Sequence, residues 1–93
     1  MKGMNLEWKP FRKVTWRAEM MDGELLLYDP SGNQIIQLNA TAALIWQLCD
    51  GQRKVEEMIA LLRTVYPESA EAIALDIHEM LDRWAEAGCL EPM

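Results

Sequence analysis

The sequence predicts an α+β domain in which a three-stranded antiparallel sheet is followed by three α-helices. Three observations carry that reading. Ahead of Asn39, short runs rich in β-branched, aromatic and aliphatic residues are separated by the turn clusters Asp22-Gly23 and Asp29-Pro30-Ser31-Gly32-Asn33. Beyond it, apolar residues recur at the i, i+3, i+4, i+7 spacing of a helix face. Asparagine, glycine and proline stand where such helices would begin and end. Strands that precede helices, with no internal repeat and no low-complexity segment, give an α+β order.

Met1 to Lys13 has mixed polarity, a proline at Pro10 and no period, and reads as an N-terminal arm ahead of a single domain over residues 14–93. Trp8 and Phe11 are its large anchors and are expected to pack on the domain or on a second copy of it. Val14 to Met20 alternates in part and is predicted as the first strand. Asp22-Gly23 follows as a hairpin turn, because both positions tolerate positive φ. Glu24 to Tyr28 is the second strand, and the proline, glycine and asparagine of the next five residues permit another reversal. Gln34 to Leu38 is the third, with Ile36 and Leu38 on one face and Ile35 and Gln37 on the other.

Asn39 is predicted to cap the first helix, whose stripe is Ala42, Ile45, Trp46 and Cys49 and which Asp50-Gly51 closes. A second helix over Arg53 to Val65 places Val55, Met58, Ile59, Leu62 and Tyr66 on one side and ends before Pro67. Ser69 is expected to cap a third helix from Ala70 to Ala87, with Gly88 as its stop. At 100° per residue its buried stripe is Ile73, Ile77, Met80, Leu81 and Trp84. Asp76 lies on one flank of that stripe with Ala72, Met80 and Arg83, and His78 lies well away from it. Three short helices beside a small sheet describe a winged helix-turn-helix-like architecture. In the usual DNA-binding version, however, the hairpin follows the reading helix.

Composition narrows the function. With 93 residues, 51% hydrophobic and 26% charged, the chain suits one modest core. A net charge of -6 and a pI near 4.6 argue against nucleic acid and against anionic membrane surfaces, and favour basic partners. No segment approaches the roughly 18 apolar residues of a membrane span, and no signal-like run opens the sequence, so a cytoplasmic protein is expected. Cys49 and Cys89 have apolar neighbours and read as buried free thiols.

No catalytic pattern emerges. A nucleophilic arrangement would have to use the lone histidine, His78, which has Glu79 and Asp82 near in sequence but no cysteine. Two distant cysteines and that histidine lack metal-ligand spacing, and the five glycines are scattered singly. Glu56-Glu57, Glu68 and Glu71 fall in first helical turns, where the helix dipole accommodates them. Neither a metal nor another cofactor is expected. Binding surface remains. The third strand carries no charge and no proline, the usual protections of an open edge, so an extended peptide can pair with it. The same edge can instead be covered by the arm or by another copy of the chain.

The residues Leu38-Asn39, Thr41-Ala42, Ile45-Trp46, Asp50-Gly51, Val55, Glu57, Leu62 and Tyr66, followed by Asp76-Ile77, Met80-Leu81 and Gly88-Cys89-Leu90, resemble the pyrroloquinoline quinone synthesis protein D family. The resemblance covers roughly the last two thirds of the chain. Lys54 departs from the pattern, which has Thr or Ser there to form a capping box with Glu57, and Cys89 replaces the usual leucine. The resemblance implies a peptide chaperone, a leader-recognition module for ribosomally made and modified peptides, and not a catalyst. It implies that a precursor's leader adds antiparallel to the third strand, in the groove beside the third helix. Gln34, Ile35, Ile36, Gln37 and Leu38 would line it from the strand, and Ala72, Ile73, Asp76, Met80 and Arg83 from the helix. A modifying enzyme would act on the rest of the precursor: a radical S-adenosylmethionine protein in the quinone pathway, a protease, cyclase or other tailoring enzyme in related ones.

Two other readings stand beside it. A nucleic-acid-binding winged helix needs a basic third helix, yet only Arg83 opposes Asp76, Glu79, Asp82 and Glu86 in that stretch. A simple dimerisation or scaffold domain would form a homodimer through Trp8, Phe11 and the open edge.

Overall fold

The structure, a computed structural model, describes residues 5–31 and 33–91. Its elements are β1 (Arg17–Met21), β2 (Glu24–Tyr28), β3 (Ile35–Leu38), α1 (Ala40–Leu48), α2 (Val55–Val65), a 3-10 turn at Pro67–Ser69, and α3 (Ala70–Ala87). The sheet is antiparallel in the order β1-β2-β3, which makes β3 an edge. The α+β order predicted from the sequence is therefore the order found.

The first hairpin turns where the sequence predicts, with φ of 53° at Asp22 and 80° at Gly23, the paired positive values of a type I′ turn. β1 begins later than the predicted Val14. A turn in which the Trp16 N–H bonds the Lys13 carbonyl precedes it, and Val14 is 83% exposed. At the second reversal, Gly32 lies outside the described residues, and the Asp29 carboxylate accepts the Ser31 hydroxyl and the Asn33 N–H.

Leu25, Leu27 and Leu38 bring the inner face of the sheet onto a helical core. That core contains Ala42, Ile45 and Trp46 of α1, Val55, Met58, Ile59 and Leu62 of α2, and Ile73, Ile77, Leu81 and Trp84 of α3. Each fully buried Leu, Ile, Val or Met among them contributes about 1.5–3 kcal/mol relative to exposure. Tyr66 and Met80, predicted on the same stripes, pack at the margin and stay half-buried.

Helix ends follow the capping signals in part. The Asn39 Oδ1 accepts the Ala42 N–H at 2.9 Å, and Gly88, with φ of 84°, closes α3. α1 instead ends at Leu48 with Cys49 as its cap, ahead of Gly51, whose φ is 78° and whose N–H bonds the Pro10 carbonyl. Ser69 makes no side-chain cap, because the 3-10 turn after Pro67 leads directly into α3. At Lys54 half of a capping box forms. The Glu57 carboxylate accepts the Lys54 N–H at 2.8 Å, while the lysine ammonium has no lone pair with which to accept in return.

The other donors at the start of α2 are met from the N-terminal side. The Leu6 and Trp8 carbonyls accept the N–H groups of Glu56 and Val55, two of those a helix leaves unpaired in its first turn. The segment then pairs at Phe11 with Asp50 and at Arg12 with Leu90, and the Arg12 and Lys13 N–H groups bond the carbonyls of Cys49 and Cys89. Residues 6–13 thus form a strap across the α1–α2 loop and the segment after α3. Among the described residues none of its hydrogen bonds reaches β3.

Candidate functional site

The outer edge of β3 is the centre of the candidate site. The Gln34 carbonyl accepts the Asp29 N–H, so the antiparallel alternation directs the backbone groups of Ile36 and Leu38 toward β2. The N–H and C=O groups of Ile35 and Gln37 consequently face outward. Among the described residues no backbone hydrogen bond reaches them. Between this edge and α3 runs a groove of about 400 Å³ lined by Gln34, Ile36, Gln37, Leu38, Asn39, Ala42, Met80, Arg83, Trp84 and Ala87. It continues at Asn39, Met80 and Arg83 into a second hollow of about 340 Å³, completed by Thr41, Asp76 and Glu79.

Helix geometry explains which side chains meet there. Asp76, Glu79, Met80, Arg83 and Ala87 recur at spacings of three and four on one flank of α3, while Ile73, Ile77, Leu81 and Trp84 turn into the core. The Gln34 Nε2 donates to the Ala87 carbonyl at 3.3 Å and ties the start of β3 to the C-terminal end of α3. Trp84 is 2% exposed and forms the groove floor, with its ring against Trp46.

Of the residues expected at the site, Gln34, Ile36, Gln37, Leu38, Asp76, Met80 and Arg83 line this continuous groove. The other three do not. Ile35 is 69% exposed with its side chain on the opposite face of the sheet, since Ile36 shares the inner face with Leu27. Ile73 is buried in the core, and Ala72 is exposed one turn before Asp76, beyond the lining. Sequence reasoning missed Asn39, Thr41, Ala42, Glu79, Trp84 and Ala87 as lining residues. The signal for Glu79 and Ala87 was present, because they share the helical flank of Asp76 and Arg83.

The groove has a graded character. Ile36, Leu38, Ala42, Trp84 and Ala87 make one end apolar, and Asp76 and Glu79 make the other acidic. Among the described residues none of Asp76, Glu79 and Arg83 takes part in an ion pair.

The remaining reactive groups lie elsewhere. His78 is more buried than its wheel position suggests, and its Nε2 stands 3.4 Å from the Asp82 carboxylate. Burial pushes the Cys49 thiol up to about 12 and the Cys89 thiol to about 11, so both are held as neutral thiols, unsuited to nucleophilic attack. Among the described residues there is no cluster of three or more His, Cys, Asp or Glu able to hold a metal. Among the described residues no helix is long and apolar enough to cross a membrane.

The model of the family described as Coenzyme PQQ synthesis protein D (PqqD) matches residues 24–90. A protein of Methylococcus capsulatus named PqqA binding protein is 38% identical over 77 residues, which is 83% of this chain and 76% of that protein. One of Klebsiella pneumoniae with the same name is 35% identical over 85 residues, covering 86% of this chain and 85% of that one. Among solved structures, "TbiB1 in Complex with the TbiA(beta) Leader Peptide" superposes with a TM-score of 0.75 at 19% identity, over 89% of this chain and 96% of that one. At that identity it bears on the fold.

Proposed function

This chain belongs to the coenzyme PQQ synthesis protein D (PqqD) family, and from that premise we propose that it is a non-catalytic binding module for the leader of a ribosomally made precursor peptide. The observation that carries the proposal is the juxtaposition at β3. Outward N–H and C=O groups of Ile35 and Gln37 stand beside a groove floored by Ile36, Leu38 and Trp84. Such an edge offers an extended peptide backbone bonds for affinity and side-chain hollows for selectivity. The PqqA binding proteins among its relatives support the same reading, as does the structural neighbour in complex with a leader peptide. The module presents the held precursor to a modifying enzyme in the cytoplasm, a radical S-adenosylmethionine protein or a protease. Its acidic third helix, with Arg83 against Asp76, Glu79, Asp82 and Glu86, disfavours a nucleic-acid partner.

The test is amide hydrogen exchange and calorimetric titration of the protein with the leader of a precursor encoded beside its gene. Binding with slowed exchange at Ile35 and Gln37 is the expected result. Binding that protects neither amide, or no binding at all, overturns the proposal. A mass consistent with a β3-to-β3 homodimer that the leader cannot dissociate would favour the scaffold reading instead.

A further inference from the structure

The groove dictates more than a peptide-shaped occupant. It has a direction. Gln34 at the start of β3 contacts Ala87, whereas Asn39 and Thr41, just past its end, share a hollow with Asp76 and Glu79, so β3 and α3 run antiparallel. The sheet is antiparallel throughout, and antiparallel pairing is the more stable per residue. A strand added in that sense runs alongside α3 in the same direction. Its N-terminal part then lies at Asp76 and Glu79, and its C-terminal part at Trp84 and Ala87.

Charge and spacing complete the pattern. Asp76 and Glu79 have no cationic partner among the described residues, in a chain of net charge -6, and they face the space the peptide enters. The midpoint of the acidic pair lies about 12 Å along α3 from the midpoint of Trp84 and Ala87, at 1.5 Å per helical residue. An extended chain covers that distance in between three and four residues at about 3.4 Å each. Only even separations keep two side chains on one face of a strand, so the match is four.

Building on the leader-binding reading above, we infer that this groove selects a peptide carrying a lysine or arginine followed, four residues toward its C-terminus, by a large apolar side chain. The cation meets Asp76 and Glu79, and the apolar group enters the hollow over Trp84. Arg83 stands between the two ends and rejects a second cation at the intermediate position on the same face.

The experiment uses the full chain and four labelled synthetic dodecapeptides on a common serine and threonine background. One carries Lys-x-x-x-Leu, one the reversed Leu-x-x-x-Lys, one Glu-x-x-x-Leu, and one Lys-x-Lys-x-Leu. Anisotropy titrations report affinity, and NMR shifts of the Ile35 and Gln37 amides report engagement of the edge. The first peptide is expected to bind on the order of tenfold tighter than each of the others. In the double variant Asp76→Asn, Glu79→Gln, of unchanged melting temperature, its advantage over the Glu-x-x-x-Leu peptide should vanish. Equal affinities for all four, with the two amides still shifted, would overturn the charge pattern and leave the edge reading standing. A tighter reversed peptide would overturn the direction alone. If no peptide moves either amide, both readings fall.

Discussion

Trp46 and Trp84 meet edge to face, with ring centroids 5.3 Å apart and an interplanar angle of 83°. This pair joins α1 to α3 directly beneath the groove, so the core and the groove lining share a side chain. Truncating Trp84 to alanine is expected to cost about 3–5 kcal/mol of stability, with about 0.5–1.5 more from the lost ring pair. Thermal melts should show that loss before any titration is attempted. Trp84→Phe, which keeps a ring, should recover most of it. An alanine variant with an unchanged melt would mean that the ring is not part of the core.

The alternation of hydrogen bonds along β3 separates two proline substitutions that look equivalent in the sequence. Gln37→Pro removes a donor that faces outward, so it should weaken leader binding by about 1–1.5 kcal/mol while the melt shifts little. Ile36→Pro removes a ladder donor to β2 and should lower the melt sharply or unfold the domain. Ile35→Lys, whose side chain is on the far face, should leave affinity unchanged. Calorimetry of the three variants with one leader peptide checks the set, and normal binding by Gln37→Pro would refute the assigned orientation.

Arg12 of the strap closes the end of α1. Its Nη1 donates to the carbonyls of Trp46 at 3.0 Å and Gln47 at 2.8 Å, where a cation also opposes the negative end of the helix dipole. Arg12→Gln should lower stability by about 1–2 kcal/mol, given the partly exposed geometry, and leave leader affinity intact. Denaturant midpoints compared with titrations would separate the two effects. A weakened affinity at full stability would place Arg12 in the binding surface instead.

The cysteines give a pH signature. Burial raises both thiols above the ordinary value of 9.0, to about 12 at Cys49 and about 11 at Cys89. The folded state therefore holds these protons more tightly than the unfolded chain does. Their stabilising contribution is complete below pH 9 and is lost as pH rises toward 11 and 12. Denaturant midpoints should fall over that range, and less so in a Cys49→Ala, Cys89→Ala protein corrected for its lower baseline. At neutral pH an aromatic disulfide reagent should label neither thiol until denaturant is added.

Much of this fold was legible because its signals are local. Asp22-Gly23, Asn39, Gly51 and Gly88 each act through their own φ or side chain, and the helical stripes need only a period. The site was legible as two lines of residues but not as their meeting. The face to which Ile35 belongs was read correctly, yet which face α3 covers depends on how the sheet docks. The inclusion of Trp84 and Ala42 in the lining depends on the depth of that docking. The strap was illegible for a related reason. Leu6, Trp8 and Arg12 act through backbone carbonyls and a long side chain that reach residues remote in sequence, and no periodicity records such contacts.

The pairing of Arg12 with Leu90, with the bonds from Lys13 to Cys89 and from Glu91 to Phe11, bears on how the protein is made. These partners are 76 to 80 residues apart, and the ribosome delivers one well after the other. The hairpin joins residues close in sequence, whereas this seam waits until the segment after α3 has left the exit tunnel. Contacts of such separation slow folding, because a long loop must be closed before they return any energy.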